Sequence, residues 1–509
     1  MHGRTHSRPV TVVGGGLAGM VAALELVRRG FDVTLHEASG RLGGKAGSDV
    51  DPPLHGPDYR LDPTLSLPEG VQIDHGYHVF PLWYTNMRRL WDDIGIDPAD
   101  DVYEGMVYRD LKPAELGRRR DLEPEAAPKL RQLMAICDLV LQPDEAVDDL
   151  TLQAFLHSRP YANREDPISL NDFILNALTI GDADISSRVV RDVFRQWLPL
   201  MAKPNWDALR GSLGDVMIDR LEARISSAAD AAGATFTLHY HHRLTKLELD
   251  GGYSMKLTIT PDDCAPFTVT DQPVILAIPP QVLRTLDSTE LYRNDSGITG
   301  LHYLRCNPFS ALDIFFDADL DGFDKEHFTL FESPYGITGF DISKHWPRLQ
   351  SRRKTVLQFV AANSRCFSGL DDEGFVRVMA EEIARYIPEV NDSVAYYVPH
   401  RNFHDPLFVN DVGTMQYRPD TRSKLPNLYF AGDYVANPTV VTSMEAAVRT
   451  GLMAAEALRA DHAAHTDPVE ILDPVELPEE VQGYAKLYEQ DPLMAQMLTM
   501  KWLEGLRAG

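Results

Sequence analysis

Four cysteines, Cys137, Cys264, Cys306 and Cys366, are scattered through 509 residues with no Cys-x-x-Cys pair. Their scarcity and spacing exclude a disulfide framework and a cysteine-built zinc site, and fit a reducing compartment. No cluster of His and Cys marks any other metal. Positive charge is also short: Lys and Arg number 49 against 75 Asp and Glu, a formal net charge of −26. So acidic a surface repels nucleic acid and anionic lipid at long range, although a local patch can still meet a membrane. No nucleic-acid partner is expected. Long apolar runs are missing as well. Pro9 to Leu24 carries no charge behind Arg4 and Arg8 and has the outline of a signal peptide, but glycine at 14, 15, 16 and 19 suits a strand, turn and helix better. Nothing else is apolar for long enough to span a bilayer. The chain reads as cytoplasmic, at most peripheral to a membrane.

What is present is ordinary for a globular protein: 44% hydrophobic and 24% charged residues, in a chain long enough for two or more domains. "PVTVV" enters a glycine loop, "LAGMVAALELVRRG" reads as a helix ended by Gly30, and "FDVTLHE" follows as a strand. That βαβ unit implies a parallel sheet covered by helices. Residues 49–70 read as an irregular excursion rich in Pro, Asp and Gly. From about 124 to 223 the pattern is mainly helical, including "APKLRQLMAICDLVL" and "SLNDFILNAL". Strands return at "ATFTLHYHHRLTKLELDGGYSMKLTIT", a hairpin around Asp250-Gly251-Gly252, then at "PVILAIPP", "ALDIFF", "TVLQFVAA" and "NLYFAGD". Helices are read at "DEGFVRVMAEEIARYI" and "TSMEAAVRTGLMAAEALRA". An acidic, Pro-containing linker and an amphipathic stretch, "DPLMAQMLTMKWLEGL", close the chain.

Gly14, Gly16 and Gly19 make Gly-x-Gly-x-x-Gly between a strand and a helix, the context that gives the motif meaning. The first glycine permits the turn, the second lets a pyrophosphate approach, and the third allows close helix–sheet packing. Leu17 and Ala18 open the helix, whose free N–H groups and dipole favour phosphate. Glu37, followed by Ala38, ends the second strand, where a carboxylate accepts bonds from ribose hydroxyls. To this point NAD and FAD fit equally. "RLGGKAG" then adds Arg41, Gly43, Gly44 and Lys45, bare backbone and cations that suit the phosphates and ribityl chain of a longer flavin dinucleotide. Solvated loop charge is the alternative explanation.

A second grip is written far away in "LYFAGDYVANPTVVTSMEAAVRTG". Gly432-Asp433 at a strand end allows close backbone approach and places a carboxylate near ribityl hydroxyls. Thr442 or Ser443 caps the next helix. N–H groups near Met444, Glu445 and Ala446 then face an electron-rich acceptor such as the N1–C2=O edge of a reduced flavin. An ordinary capped helix would look the same in isolation.

Taken together, "VVGGGLAGMVAALEL", "EASGRLGGKAGS", "DHGYHVFPLWYTNMRRLWDDIGI" and "LYFAGDYV…TSMEAAVRTGLMAAEAL" resemble the amine-oxidase-like flavoprotein superfamily. Within it, Gly76, His78, Phe80, Tyr84 and Asn86 match a segment of the plant and cyanobacterial phytoene and ζ-carotene desaturases. The resemblance implies an α/β fold in which a Rossmann-like, discontinuous FAD-binding domain (residues 1–100, 211–295 and 415–462) carries an inserted α+β substrate domain (101–210 and 296–414). Residues 463–509 form a tail outside it. Departures are the length of the 49–70 excursion and Ala446, where the family often has glycine. The resemblance further implies that Gly76, Tyr77, His78 and Val79 line the flavin and that Leu244 touches the adenine through its backbone.

The implied reaction removes hydrogens from adjacent carbons of a long isoprenoid, with flavin N5 accepting hydride. Such a substrate needs apolar and aromatic walls, for which Phe80, Trp83, Tyr84 and Trp197, with Tyr161, Phe173, Phe194 and Trp206, are candidates; for any single one, plain core is the readier explanation. His78 is the candidate base or orienting group, or a histidine satisfied by backbone near the ring. The expected partners are a hydrophobic small molecule and an electron acceptor, quinone or O2. The tail is read either as packing on the body or a second subunit, or as lying on lipid. A hydroxysqualene dehydroxylase, an amine oxidase on a small amine, and a non-catalytic flavoprotein scaffold are the competing readings.

Overall fold

The computed structural model describes residues 8–104, 107–115, 118–122, 130–159, 178–200, 206–250, 254–286, 289–321 and 326–508. Its first layer is a five-stranded parallel sheet in the order Phe236–His239, Asp32–His36, Pro9–Val13, Val274–Leu276, Leu428–Phe430. Val10 to Val13 are all buried, as expected of a strand covered on both faces. In register, Val13 lies beside His36 and Leu276, and Leu276 lies beside Phe430. These strands therefore finish at one edge of the sheet, although their residues come from both ends of the chain.

Three helices cover this sheet: Leu17–Arg28, Asp219–Ala232 and Met444–His462. The first is buried from Leu17 to Val27: apolar residues fill most of it, and the buried Glu25 is paired with Arg28 and Arg29. Each fully buried Leu or Val contributes about 1.5–3 kcal/mol. It crosses the last helix at Ala18, where a Cβ on Gly451 would lie 2.4 Å from the Ala18 carbonyl oxygen. No side chain fits that crossing.

A seven-stranded sheet forms the second layer, in the order Val394–Arg401, Ser310–Phe316, Val356–Ala361, Ile337–Asp341, Glu326–Leu330, Val107–Glu115, Arg118–Leu122. Only Ser310–Phe316 and Val356–Ala361 have a counterpart in the sequence reading; the other five strands do not. Helix Asp372–Ala384 packs on the sheet through Phe375, Val376, Met379 and Ile383. The 49–70 excursion docks on the sheet edge, where His55 and Tyr397 exchange backbone hydrogen bonds of 2.9 and 2.8 Å. The hairpin pairs Asp250 with Ser254 as expected.

Helices Leu130–Leu141, Leu152–His157 and Ser187–Trp197 fall in the stretch read as helical, but Trp206–Leu209 is a strand pairing with Phe80–Pro81 and Val102–Tyr103. Tyr161, Phe173 and nearly all of "SLNDFILNAL" lie outside the described residues. The linker after helix Met444–His462 is strapped to the first layer: Arg29 donates to the Asp467 and Pro468 carbonyls, and Asn86 Oδ1 accepts from the Leu472 amide. Helices Glu479–Tyr488 and Pro492–Ala508 pack against Leu130–Leu141 through Val481 and Leu503. Among the described residues no helix is long and apolar enough to cross a membrane.

Candidate functional site

The glycine loop opens at the sheet edge. Gly14, at φ +103°, donates its amide to the His36 carbonyl at 2.8 Å. A Cβ on Gly19 would lie 2.0 Å from the Gly14 carbonyl oxygen, so chain packing alone demands glycine there. Gly16 is different: the atoms nearest its added Cβ stand 3.9 Å away or farther. The protein leaves that side open, as a cradle for a group approaching the helix start at Leu17 and Ala18. The second loop seals the cradle, with the Gly43 amide donating to the Gly15 carbonyl at 2.9 Å and Gly44 against Gly16. Glu37 accepts from the Gly15 amide at 2.7 Å and from the amide and hydroxyl of Ser39 at 2.7 and 2.8 Å. The next residue but one past Ala38, exposed Gly40, sits against His241. Leu244 is buried in the strand that begins with His242, whose amide donates to the Glu37 carbonyl at 2.8 Å.

Helix Met444–His462 begins at the same edge. Ser443, not Thr442, caps it, accepting from the Ala446 amide at 3.2 Å, while the buried Thr442 hydroxyl has no partner. The amides of Met444 and Glu445 belong to the first turn, where no helical carbonyl reaches them. The Glu445 side chain points elsewhere. It accepts from the Asn86 amide and side chain at 3.1 and 2.7 Å and from the Met87 amide at 2.8 Å, capping helix Thr85–Ile94. Gly432 donates to the Thr450 hydroxyl at 3.0 Å. Burial raises the Asp433 carboxyl above its ordinary range, opposed by Lys45 and Arg418. Lys45 belongs to the first grip and Asp433 to the second, so the two ends face one another electrostatically. From Gly451, which touches Ala18, back to Met444 is about 10 Å of helix, so the two helix starts are offset along an elongated site.

Sequence reasoning missed Arg418. Its guanidinium donates to the carbonyls of Asp433, Tyr434, Val435 and Val440. Burial lowers it to about 10, with Asp433 opposing. It thereby folds the loop between the strand and the helix start, including Val440 in the left-handed region at φ +66°. An arginine satisfied mainly by backbone carbonyls leaves no motif to read.

The Gly76–Val79 segment lies on the seven-stranded sheet. A Cβ on Gly76 would come within 2.7 Å of Val360, which fixes how closely the backbone settles. The Tyr77 hydroxyl bonds to His327 and Thr338. His78 keeps a buried Nδ1 with no hydrogen-bond partner, and burial, then His75, lowers its imidazole to about 4, leaving it neutral. Of the four aromatics assigned to a substrate wall, Phe80, Trp83 and Tyr84 are buried in the first-layer core, packed edge-on against Trp91 and one another. Trp197 is half-buried and stacks on Phe194.

Only folding reveals a polar cluster beneath this segment. Asp49, His75 and His400 bring ligand-type atoms within 4.8 Å of one another. Arg41 enters the same cluster, 2.9 Å from Asp49 and 3.2 Å from His75, and supplies the positive charge an ion would bring. His400 also bonds Asp313 at 2.9 Å. Asp313 and Gln358 sit opposite each other on paired strands, both fully buried.

An open cradle at Gly16, helix-start amides at both ends, an unpartnered Thr442 hydroxyl and Lys45 together fit FAD. The profile of a family described as flavin containing amine oxidoreductase matches residues 17–459. The chain is similar to 15-cis-phytoene desaturase from Synechococcus elongatus, 22% identical over 480 residues, covering 88% of this chain and 95% of that protein. It is similar to a probable zeta-carotene desaturase of the same organism, 22% identical over 502 residues, with 88% and 98% covered. Among solved structures, wild-type putrescine oxidase bound to putrescine superposes with a TM-score of 0.63 at 16% identity, covering 89% of this chain and 99% of that one. Cyclohexylamine oxidase from Brevibacterium oxydans gives the same figures, 0.63, 16%, 89% and 99%. At that identity these two structures speak for the fold alone.

Proposed function

We propose a function from one premise: the chain belongs to the flavin-containing amine oxidoreductase family. It is accordingly an FAD-dependent oxidoreductase. The finer reading, ours, is desaturation of a carotenoid-type or related isoprenoid, two hydrogens being removed from adjacent saturated carbons. The observation that carries it is similarity over nearly the whole chain to phytoene and zeta-carotene desaturases.

In this reading Gly14, Gly16 and the amides of Leu17 and Ala18 hold the pyrophosphate, Glu37 the adenosine ribose, and Leu244 the adenine edge. Gly43, Gly44, Lys45, Gly432 and Asp433 hold the ribityl and phosphate stretch. The amides near Met444 and the Gly76–Val79 segment flank the ring. When bound, FAD supplies the hydride acceptor. The protein's own residues orient the chain, exclude water and receive a proton. Quinone or O2 serves as the final acceptor. Exposed Leu493, Met494 and Met497 on the last helix mark where a peripheral membrane contact or a second subunit would sit.

Anaerobic mixing of the FAD-loaded protein with isoprenoids and with small amines, while flavin absorbance is followed, tests the reading. Bleaching by isoprenoids is expected; bleaching by amines alone overturns it.

A further inference from the structure

Asp74 closes a two-residue strand, Ile73–Asp74, paired with Ser48–Asp49 directly after the second glycine loop. Buried, it accepts from the Ser48 hydroxyl at 2.5 Å and from the Leu213 amide at 3.0 Å. The Ser48 hydroxyl accepts in turn from the Gly214 amide at 2.7 Å. These bonds fix the carboxyl without enclosing it, because Asp74 also lines a small cavity with Tyr77, His78, Phe340, Trp346 and Gln358. The space is that of about one water molecule.

Three polar groups with bonds to spare converge there. His78 Nδ1 has no partner, and neither has the oxygen or the nitrogen of the Gln358 carboxamide, which lies across from Asp313 on the paired strand. The third is the Asp74 carboxyl. A buried polar atom left unpaired costs about 1–3 kcal/mol, and one water making two to four bonds satisfies all three.

We propose that this cavity holds a water through which Asp74 receives the proton released when the substrate is oxidised. The inference rests on the desaturase reading for the source of that proton and on the Gly76–Val79 segment lying at the flavin. Two C–H bonds on adjacent carbons break; one hydrogen leaves with both electrons as a hydride and reduces the FAD. The other leaves as a proton to the water, which passes one of its own to Asp74, and the electron pair left on carbon forms the double bond.

The electrostatics agree with this geometry. Burial pushes Asp74 up to about 7, with Asp313 adding to the rise and Ser48, Leu213 and His400 opposing it. His75 and His78 face it from its own segment, and Asp313 and His400 from the sheet. His78 stays neutral and serves as a fixed hydrogen-bond partner. Asp74 is the cavity group that exchanges a proton near neutral pH, where a base works best.

One test needs no substrate. FAD-loaded protein is reduced by light at about pH 8, above the usual carboxylate range, and followed by infrared difference spectroscopy. Negative charge gained by the flavin raises the proton affinity of a nearby carboxylate, so a protonated-carboxyl band is expected on reduction and is absent from Asp74→Asn. The same band in that variant overturns the inference, whether or not the desaturase reading stands. With substrate, the bleaching rate of the native protein rises with pH through about 7. Asp74→Asn loses that rise and slows by about 10²–10⁴-fold, while Asp74→Glu keeps it at a lower rate. A variant with less bound flavin but an unchanged pH profile would mean a structural carboxylate and also overturns the inference. Should Asp74→Asn not fold, Gln358→Leu decides: loss of the solvent isotope effect on bleaching supports the water, and an unaltered effect refutes it. If no isoprenoid bleaches the native protein, the desaturase reading fails on its own.

Discussion

Gly16 and Gly19 share one loop, yet a methyl group at each has opposite consequences. At Gly19 it would lie 2.0 Å from the Gly14 carbonyl oxygen; at Gly16 nothing of the protein is closer than 3.9 Å. Gly16→Ala is therefore expected to fold with an unchanged melting temperature in the flavin-free form but to lose most of its bound FAD. Gly19→Ala should fail to accumulate as folded protein. Absorbance of the bound flavin and a thermal melt check both, and equal behaviour of the two variants would contradict the account. Asp74 makes a separate stability prediction. Its folded carboxyl holds a proton up to about 7 while the unfolded one releases it near 3.8, so the folded state binds more protons between those values. Stability contributed by this group therefore falls as pH rises through that window. Asp74→Asn should flatten the fall, measured by urea midpoints across the range. The glycines were legible because local conformation and the neighbouring strand and helix assign their roles. Asp74, Gln358 and His400 were not, because each gains meaning only from a residue on another strand.

At the scale of elements, two buried charges organise the second grip. Glu445 ties helix Met444–His462 to the first turn of Thr85–Ile94 through Asn86 and Met87. Glu445→Ala leaves those buried donors unpaired and should cost about 1–3 kcal/mol, read by chemical denaturation. Asn86→Ala in the same background should cost less than it does in the native protein, since the partner is already gone. Arg418→Met removes four carbonyl partners from the loop before the helix. Equilibrium dialysis should then show weaker FAD binding, while Gly16 and its loop remain intact. Sequence patterning found the strands with continuous apolar runs, Ser310–Phe316 and Val356–Ala361. It missed the other five strands of that sheet; in Val107–Glu115 and Arg118–Leu122 the charged residues do not alternate clearly with apolar ones. Pairing decides their state: Val107–Glu115 pairs with Glu326–Leu330, and Arg118–Leu122 with Val107–Glu115.

The whole molecule has a distinctive acid response. His36, His239 and His242 stack with ring centroids 5.3, 5.3 and 4.6 Å apart beside the adenosine end of the proposed site. Burial, then His239 and His242, lowers His36 to about 4 from 6.5. The unfolded chain thus takes a proton that the folded one refuses, and stability is lost as pH falls from 6.5 toward 4. His36→Gln should reduce that loss, measured as the shift in melting temperature between the two pH values. Asp49 acts later: burial alone would raise it, but His75 and Arg41 outweigh burial and hold it at about 2. Its stabilisation is present above 3.8 and lost as pH falls toward 2. Proteins in which the two layers separate before pH 4 would contradict this order.

The amino-acid order alone pointed to a dinucleotide, since Gly-x-Gly-x-x-Gly takes its meaning from the strand and helix that adjoin it in sequence. It also determined that a second capped helix waits more than four hundred residues away, and the resemblance of both segments identified the class of cofactor. Tertiary structure decided that Val13 and Phe430 end in one register row, that Lys45 faces Asp433, and that Asp74, His78 and Gln358 surround a single small cavity. The reason is range: propensity, caps and turns act over a few residues, whereas burial and charge act through space between segments that the chain keeps far apart.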